Sequence, residues 1–129
     1  MFTKRPLLLL VLVSVLCSTG LTQEPPKAKQ KQQFLIVLKL IPHLLDDKNW
    51  TERENQLVAK HFARLKELLK DGKLVLAGRT TTNDPKQMGL IVVETDSEEE
   101  ARQIMQNDDA VSGKIMTAEL FPFTVALRK

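Results

Sequence analysis

The sequence predicts an α+β fold of the ferredoxin-like kind. This is a βαββαβ sandwich, with two helices on one face of a four-stranded antiparallel sheet. Three observations carry that expectation. Short apolar runs and segments of helical periodicity follow one another as strand, helix, strand, strand, helix, strand. Both helical segments open on a capping box, Thr51 with Glu54 and Ser97 with Glu100. The length of 129 residues suits one domain of the usual ~100–150 residues.

The chain begins with a targeting pattern. Met1 to Arg5 is short and basic, Leu7 to Leu16 is apolar apart from Ser14, and Ser18, Thr19 and Gly20 are small. These are the three parts of a secretory signal. The apolar run is half the ~20 residues that a membrane-spanning helix needs, so residues 1–22 are expected to be a cleaved signal peptide, cut between Gly20 and Gln23. The expected location is outside the cytoplasm, periplasmic or extracellular, with no membrane attachment after cleavage. Cys17 is the only cysteine and follows Leu16 rather than the small residue a lipidation site needs. A chain cut after it has no thiol for a disulfide, a metal or nucleophilic attack.

Residues 23–33 (QEPPKAKQKQQ) are rich in Pro, Lys and Gln and read as a flexible linker. The domain is expected over 34–129. Phe34 to Ile41 is apolar and stops at Pro42, the pattern of a buried strand. A loop to Trp50 precedes the first helix. In that helix Leu57, Val58, Phe62, Leu65, Leu68 and Leu69 recur at three- and four-residue spacing and predict a core-facing stripe. Gly72 ends it as a left-handed cap. Lys73 to Thr81 reads as the second strand, Asn83 to Pro85 as a turn, and Gly89 to Glu94 as the third strand. The second helix turns Ala101, Ile104 and Met105 to the core. The acidic run Glu98 to Glu100 complements its dipole rather than marking a cation site. Ile115 to Leu127 is expected to be a long last strand, at an edge or bulge where Pro122 cannot donate to a ladder.

Several function classes drop out on composition. Of 19 Lys and Arg, five lie before Phe34, and of 16 Asp and Glu one does, which leaves 14 basic against 15 acidic residues. The basic balance belongs to the N-terminal arm, so the domain shows no nucleic-acid footprint. Two histidines eighteen residues apart lack metal-ligand spacing. There is no Gly-rich phosphate loop and no serine-nucleophile signature, so neither a metal nor a cofactor is expected. The strands are apolar on both faces, and a sheet face left bare would exceed the ~300–600 Å² patch of ordinary monomers. A homodimer packed sheet to sheet, with C2 symmetry, is the expected remedy.

Candidate chemistry starts at His61. It lies four residues after Leu57 and four before Leu65, on the buried stripe, where a titratable ring is unusual. Asp108 follows the second helix directly and can approach the middle of the first helix across the shared face. A structural histidine and a turn aspartate are the plainer readings of both. Arg79 can pin a ligand carboxylate or make a surface ion pair. His43 and Trp50 fall in the loop after the first strand, where they can line a pocket mouth. A solvated loop residue is the plainer reading of His43. Asn49–Trp50–Thr51 also fits a glycosylation sequon, a pattern common by chance.

With these residues in view, the chain resembles the YCII-related family from Phe34 to about Phe123. The resemblance is carried by His61 in KHFARLKELLKDGKLVLAGRT, the Gly72 turn, Ala77–Gly78, SEEEARQIMQND, and Asp108 in DDAVSGKIMTAEL. Asp109 replaces the proline that follows the family aspartate, Lys114 stands where a glycine is expected, and Arg79 stands where many members carry proline. The resemblance implies a dimeric α+β barrel and a His–Asp pair, here His61 and Asp108, proposed as catalytic. Two readings follow. One is an enzyme in which His61 and Asp108 move protons on a small, cyclic or carbonyl-bearing molecule, by isomerisation or elimination. The other is a non-catalytic dimeric module that binds a small molecule or a protein in the cell envelope. A reachable cavity beside the His61 ring separates the first from the second.

Overall fold

The computed structural model describes residues 30–82 and 84–129. The signal-peptide expectation, Cys17, most of the expected linker and Asn83 of the expected turn lie outside the described residues. The elements are β1 (Gln32–Leu40), α1 (Glu52–Lys70), β2 (Leu74–Arg79), β3 (Gly89–Thr95), α2 (Glu98–Gln106), a short α3 (Asp109–Ser112) and β4 (Met116–Phe123). The sheet order is β2-β3-β1-β4, and its three pairings are antiparallel. This is the ferredoxin-like α+β arrangement that the sequence predicts.

Alternation along β1 sorts the two faces of the sheet. Phe34, Ile36 and Leu38 are buried between less buried neighbours. They pack with Ile91 and Val93 of β3 against Leu65 and Leu68 of α1 and Ala101 and Ile104 of α2. A second cluster of Leu44, Ala110 and Ile115 closes the end near α3. The register puts Leu35, Val37, Leu76, Leu90, Val92 and Phe121 together on the opposite face. Leu76 and Phe121 there are 50% and 42% exposed.

The helix starts match their capping signals. Thr51 and Glu54 form the reciprocal box. Ser97 accepts from the Glu100 N–H, while Glu100 reaches one residue further back, to the Asp96 N–H, and also pairs with Lys73 at 2.8 Å. The hydroxyl of Thr51 hydrogen-bonds the Glu54 carboxylate and is the chief reason its pKa falls from 4.5 to about 2. A carboxyl whose folded pKa is depressed stabilises the fold above its unfolded pKa and loses that contribution as pH falls through the folded value. Melting temperature should therefore drop between pH 4.5 and about 2. Glu54→Gln should flatten that part of the profile in a pH series of thermal melts.

Some boundaries differ from the sequence expectation. β1 starts at Gln32, inside the stretch read as linker, because Gln32 and Gln33 pair with Thr95 and Glu94 and the Gln33 amide donates to Glu94 at 2.8 Å. β4 stops at Phe123 rather than running to Leu127. Its last partner is Gln33, whose side chain then takes the Val125 N–H. β4 is an edge strand, where Pro122 was expected to lie. The apolar stripe of α1 is wider than its buried strip, for Phe62 and Leu69 are 55% and 60% exposed.

Gly72 takes the left-handed conformation at the end of α1, with φ of 71°. The only other described residue with positive φ is Lys114, at 60°. Left-handed backbone costs an L-residue roughly 1–2 kcal/mol, and glycine nothing. Lys114→Gly should accordingly raise stability by about 1 kcal/mol, net of glycine's extra unfolded-state entropy. In a domain of this size that is a rise of roughly 4–8 °C in a calorimetric melt.

Candidate active site

His61 sits mid-way along α1 and is 6% exposed. Its Nδ1 lies 2.6 Å from Oδ2 of Asp108, which is 5% exposed. The other carboxylate oxygen, Oδ1, accepts the Ala110 N–H at 2.9 Å. Asp108 is thus the N-cap of α3 and the partner of His61 at once. Both plain readings of these residues hold as far as they go, since Asp108 does bond a nearby N–H. Its second oxygen is committed to the imidazole.

The short helix makes this possible. Asp108 has extended dihedrals, and its carbonyl accepts from Val111 and Ser112 as α3 begins. Asp109 occupies the first helical position. Proline suits that position because its missing N–H costs nothing there, and an acid suits the positive end of the peptide dipoles. The exchange of one for the other leaves the cap intact. Arg53 of α1 donates to the Gly113 carbonyl at 2.9 Å and ties the far end of α3 to the same helix.

A carboxylate only accepts, so the hydrogen between the two groups belongs to Nδ1. In the neutral ring that tautomer leaves the Nε2 lone pair free, and among the described residues the imidazole's hydrogen bond is the one at Nδ1. The ring lines a cavity of about 440 Å³. Its walls are chiefly apolar, with Leu38, Val58, Leu65, Ile91 and Met116 among them. Phe62 meets the imidazole edge-on, with centroids 5.3 Å apart.

The other expected site residues divide. Trp50 and Arg79 both line the cavity with His61. Trp50 is held by its indole N–H, which donates to the Leu44 carbonyl at 2.9 Å. His43 is exposed on a 3-10 turn and does not line the cavity. Its carbonyl, not its ring, has a role, accepting from the Asn49 side chain at 2.7 Å. Sequence reasoning did not find Gln87, Met88 and Gly89, which complete the wall where β3 begins beside the end of β2. The available signal was strand pairing, which sets Gly89 opposite Arg79.

Fold and site together define a small ferredoxin-like α+β protein with a buried His–Asp pair beside an apolar cavity. The chain belongs to the YCII-related domain family, whose model matches residues 30–124. No curated protein matches it. Among solved structures it is similar to TftG of Burkholderia phenoliruptrix, a 5-chloro-2-hydroxyhydroquinone dehydrochlorinase in complex with 2,5-dihydroxybenzoquinone. Identity is 20% and the TM-score 0.55, over 71% of this chain and 93% of that one. It is also similar to a conserved protein of unknown function from Bacteroides thetaiotaomicron, described as a possible oxidoreductase. That likeness has 10% identity and a TM-score of 0.41, over 74% of this chain and 100% of the other. At these identities the likeness to TftG is one of fold, and the second carries no argument.

Proposed function

We propose that the chain is an enzyme that moves a proton on a small, enolisable ring compound. The carrying observation is that one edge of the His61 imidazole is fixed by Asp108 at 2.6 Å while the ring lines the cavity. Nε2 takes a proton from a carbon next to a carbonyl, and the C–H electron pair moves onto the carbonyl oxygen to give an enolate. The imidazolium formed is stabilised by the Asp108 carboxylate. Two outcomes then balance. The proton returns from Nε2 to another carbon, which is isomerisation. Alternatively a leaving group departs with its electron pair and the proton passes to water, which is elimination. A dehydrochlorinase of similar fold makes elimination the first outcome to test.

A panel of cyclic ketones and hydroxyquinones, 5-chloro-2-hydroxyhydroquinone among them, should be incubated in deuterium oxide. Ring C–H exchange is read by NMR and chloride release by electrode. The protein should accelerate one or more members above buffer, and His61→Ala should not. Binding without exchange across the panel would leave the non-catalytic module as the reading.

We also propose that the enzyme works outside the cytoplasm as a homodimer. The targeting pattern of residues 1–22 supports the first part, and N-terminal sequencing of the protein from its producing cell should start between Leu21 and Glu24. A mature chain that retains Met1 would contradict it. The apolar face that carries Leu35, Val37, Leu76 and Phe121 supports the second part. Light scattering at micromolar concentration should give twice the monomer mass, and monomer mass would overturn the dimer.

A further inference from the structure

We propose that the cavity selects ring compounds bearing an anionic oxygen, a carboxylate or phenolate, and that Arg79 is the group that recognises it. This deepens the proton-transfer reading and rests on it where it calls the ligand a substrate. Arg79 is the last residue of β2 and lines the same cavity as His61. Across the sheet it stands in one row with Gly89 and Leu38. The middle residue of that row, Gly89, has no side chain, and a Cβ there would touch the Leu38 side chain at 3.4 and 3.8 Å.

The guanidinium makes no ion pair among the described residues. Asp47 and Asp84 line a smaller adjoining hollow of about 210 Å³ that Arg79 also borders. Both are exposed, and neither lies within ion-pair distance. Arg79 and both carboxylates are exposed, so solvent and salt screen their mutual attraction, and an anion gains its advantage over them by the contact it makes with the cavity wall beside the guanidinium. Arginine offers a planar fork of N–H groups that fits a carboxylate two bonds at a time. Apolar walls take the ring, and a cavity of 440 Å³ lies in the range for a small ligand. Arg79 is the one Lys or Arg in a lining whose other polar side chains are chiefly His61 and Gln87, and such a lone cation is a device for choosing charge.

The chain reports on this cavity by itself, since Trp50 is its one tryptophan and there is no tyrosine. Benzoate and its neutral counterpart benzamide should be titrated against Trp50 emission. Benzoate should bind more tightly by roughly tenfold or more, the worth of a charge-assisted hydrogen bond. Arg79→Gln should abolish that preference and Arg79→Lys should keep part of it. Removing the competing acids with Asp47→Asn and Asp84→Asn should strengthen benzoate binding. His61→Ala should retain the preference, which separates this inference from the proton-transfer reading. Absence of exchange in the unmodified protein, or exchange that survives His61→Ala, with the preference intact would sink that reading and leave the anion site standing. Equal binding of the two probes, a preference that survives Arg79→Gln, or no saturable response to millimolar benzoate would each overturn the anion site.

Discussion

Asp108→Asn is expected to lose proton transfer by a factor of about 10²–10⁴ while the domain stays folded. The two carboxylate oxygens have separable tasks. Asparagine is as good an N-cap as aspartate, so its carbonyl oxygen can keep the Ala110 N–H. The amide then faces His61 Nδ1 with a donor instead of an acceptor. The imidazole answers by carrying its hydrogen on Nε2, and the lone pair that should take the substrate proton is gone. Asp108→Ala removes both tasks. It forfeits the cap, about 1 kcal/mol, and leaves a buried ring nitrogen unpaired, about 1–3 kcal/mol. The melting temperature should fall by roughly 10–30 °C. Thermal melts beside deuterium-exchange rates separate the two variants. If Asp108→Asn exchanged at the native rate, the carboxylate would have no part in the chemistry.

Gly113→Ala is expected to damage the domain by crowding. Gly113 has ordinary dihedrals, with φ of −75°, so backbone freedom is not the issue. Space is. A Cβ there would stand 2.6 Å from the Asp109 carbonyl oxygen and 2.7 and 2.8 Å from the two terminal carbons of Leu57. The leucine can turn aside, but the carbonyl belongs to α3 and accepts the Gly113 N–H at 2.9 Å. The strain falls on the four-residue helix that aims Asp108. Overpacking of this kind costs about 1–3 kcal/mol, or roughly 4–20 °C in melting temperature. Activity should fall further than stability explains, because a shift of α3 lengthens the 2.6 Å contact. A Gly113→Ala protein that melts and exchanges like the native one would show that α3 accommodates the methyl freely.

The succession of elements along the chain was legible because each strand announced itself by apolar runs and each of the two long helices by a cap. His61 was legible for a related reason, as a polar ring on an apolar stripe. The short α3 was not. Four residues are too few for periodicity to register, and Asp108 read as the tail of α2 rather than the head of another helix. The exposure of Phe62 was hidden as well, because helical spacing says which residues share a stripe and not how wide a strip the sheet covers. The depth of the cavity depends on the pairing of Arg79 with Gly89, a register set by three dimensions. Lys114 could be seen to depart from a family pattern, but only its dihedral of 60° shows what the departure costs.

The central place of β1 has a temporal consequence. It is the first strand to leave the ribosome, yet one of its two neighbours, β4, is the last. Contacts so distant along the chain must await nearly complete synthesis, and closing them is slow. Until Met116–Phe123 is made, Phe34, Ile36 and Leu38 lack a flank, and the nascent polypeptide has no complete sheet to settle into. Under the export proposed above such a delay would help, because a translocation pore admits extended polypeptide and not a closed domain. The same topology carries a hazard, since an apolar central strand waiting for its partner is open to other chains. Arrested nascent chains that end before residue 116 should be digested readily by protease, whereas full-length ones should resist.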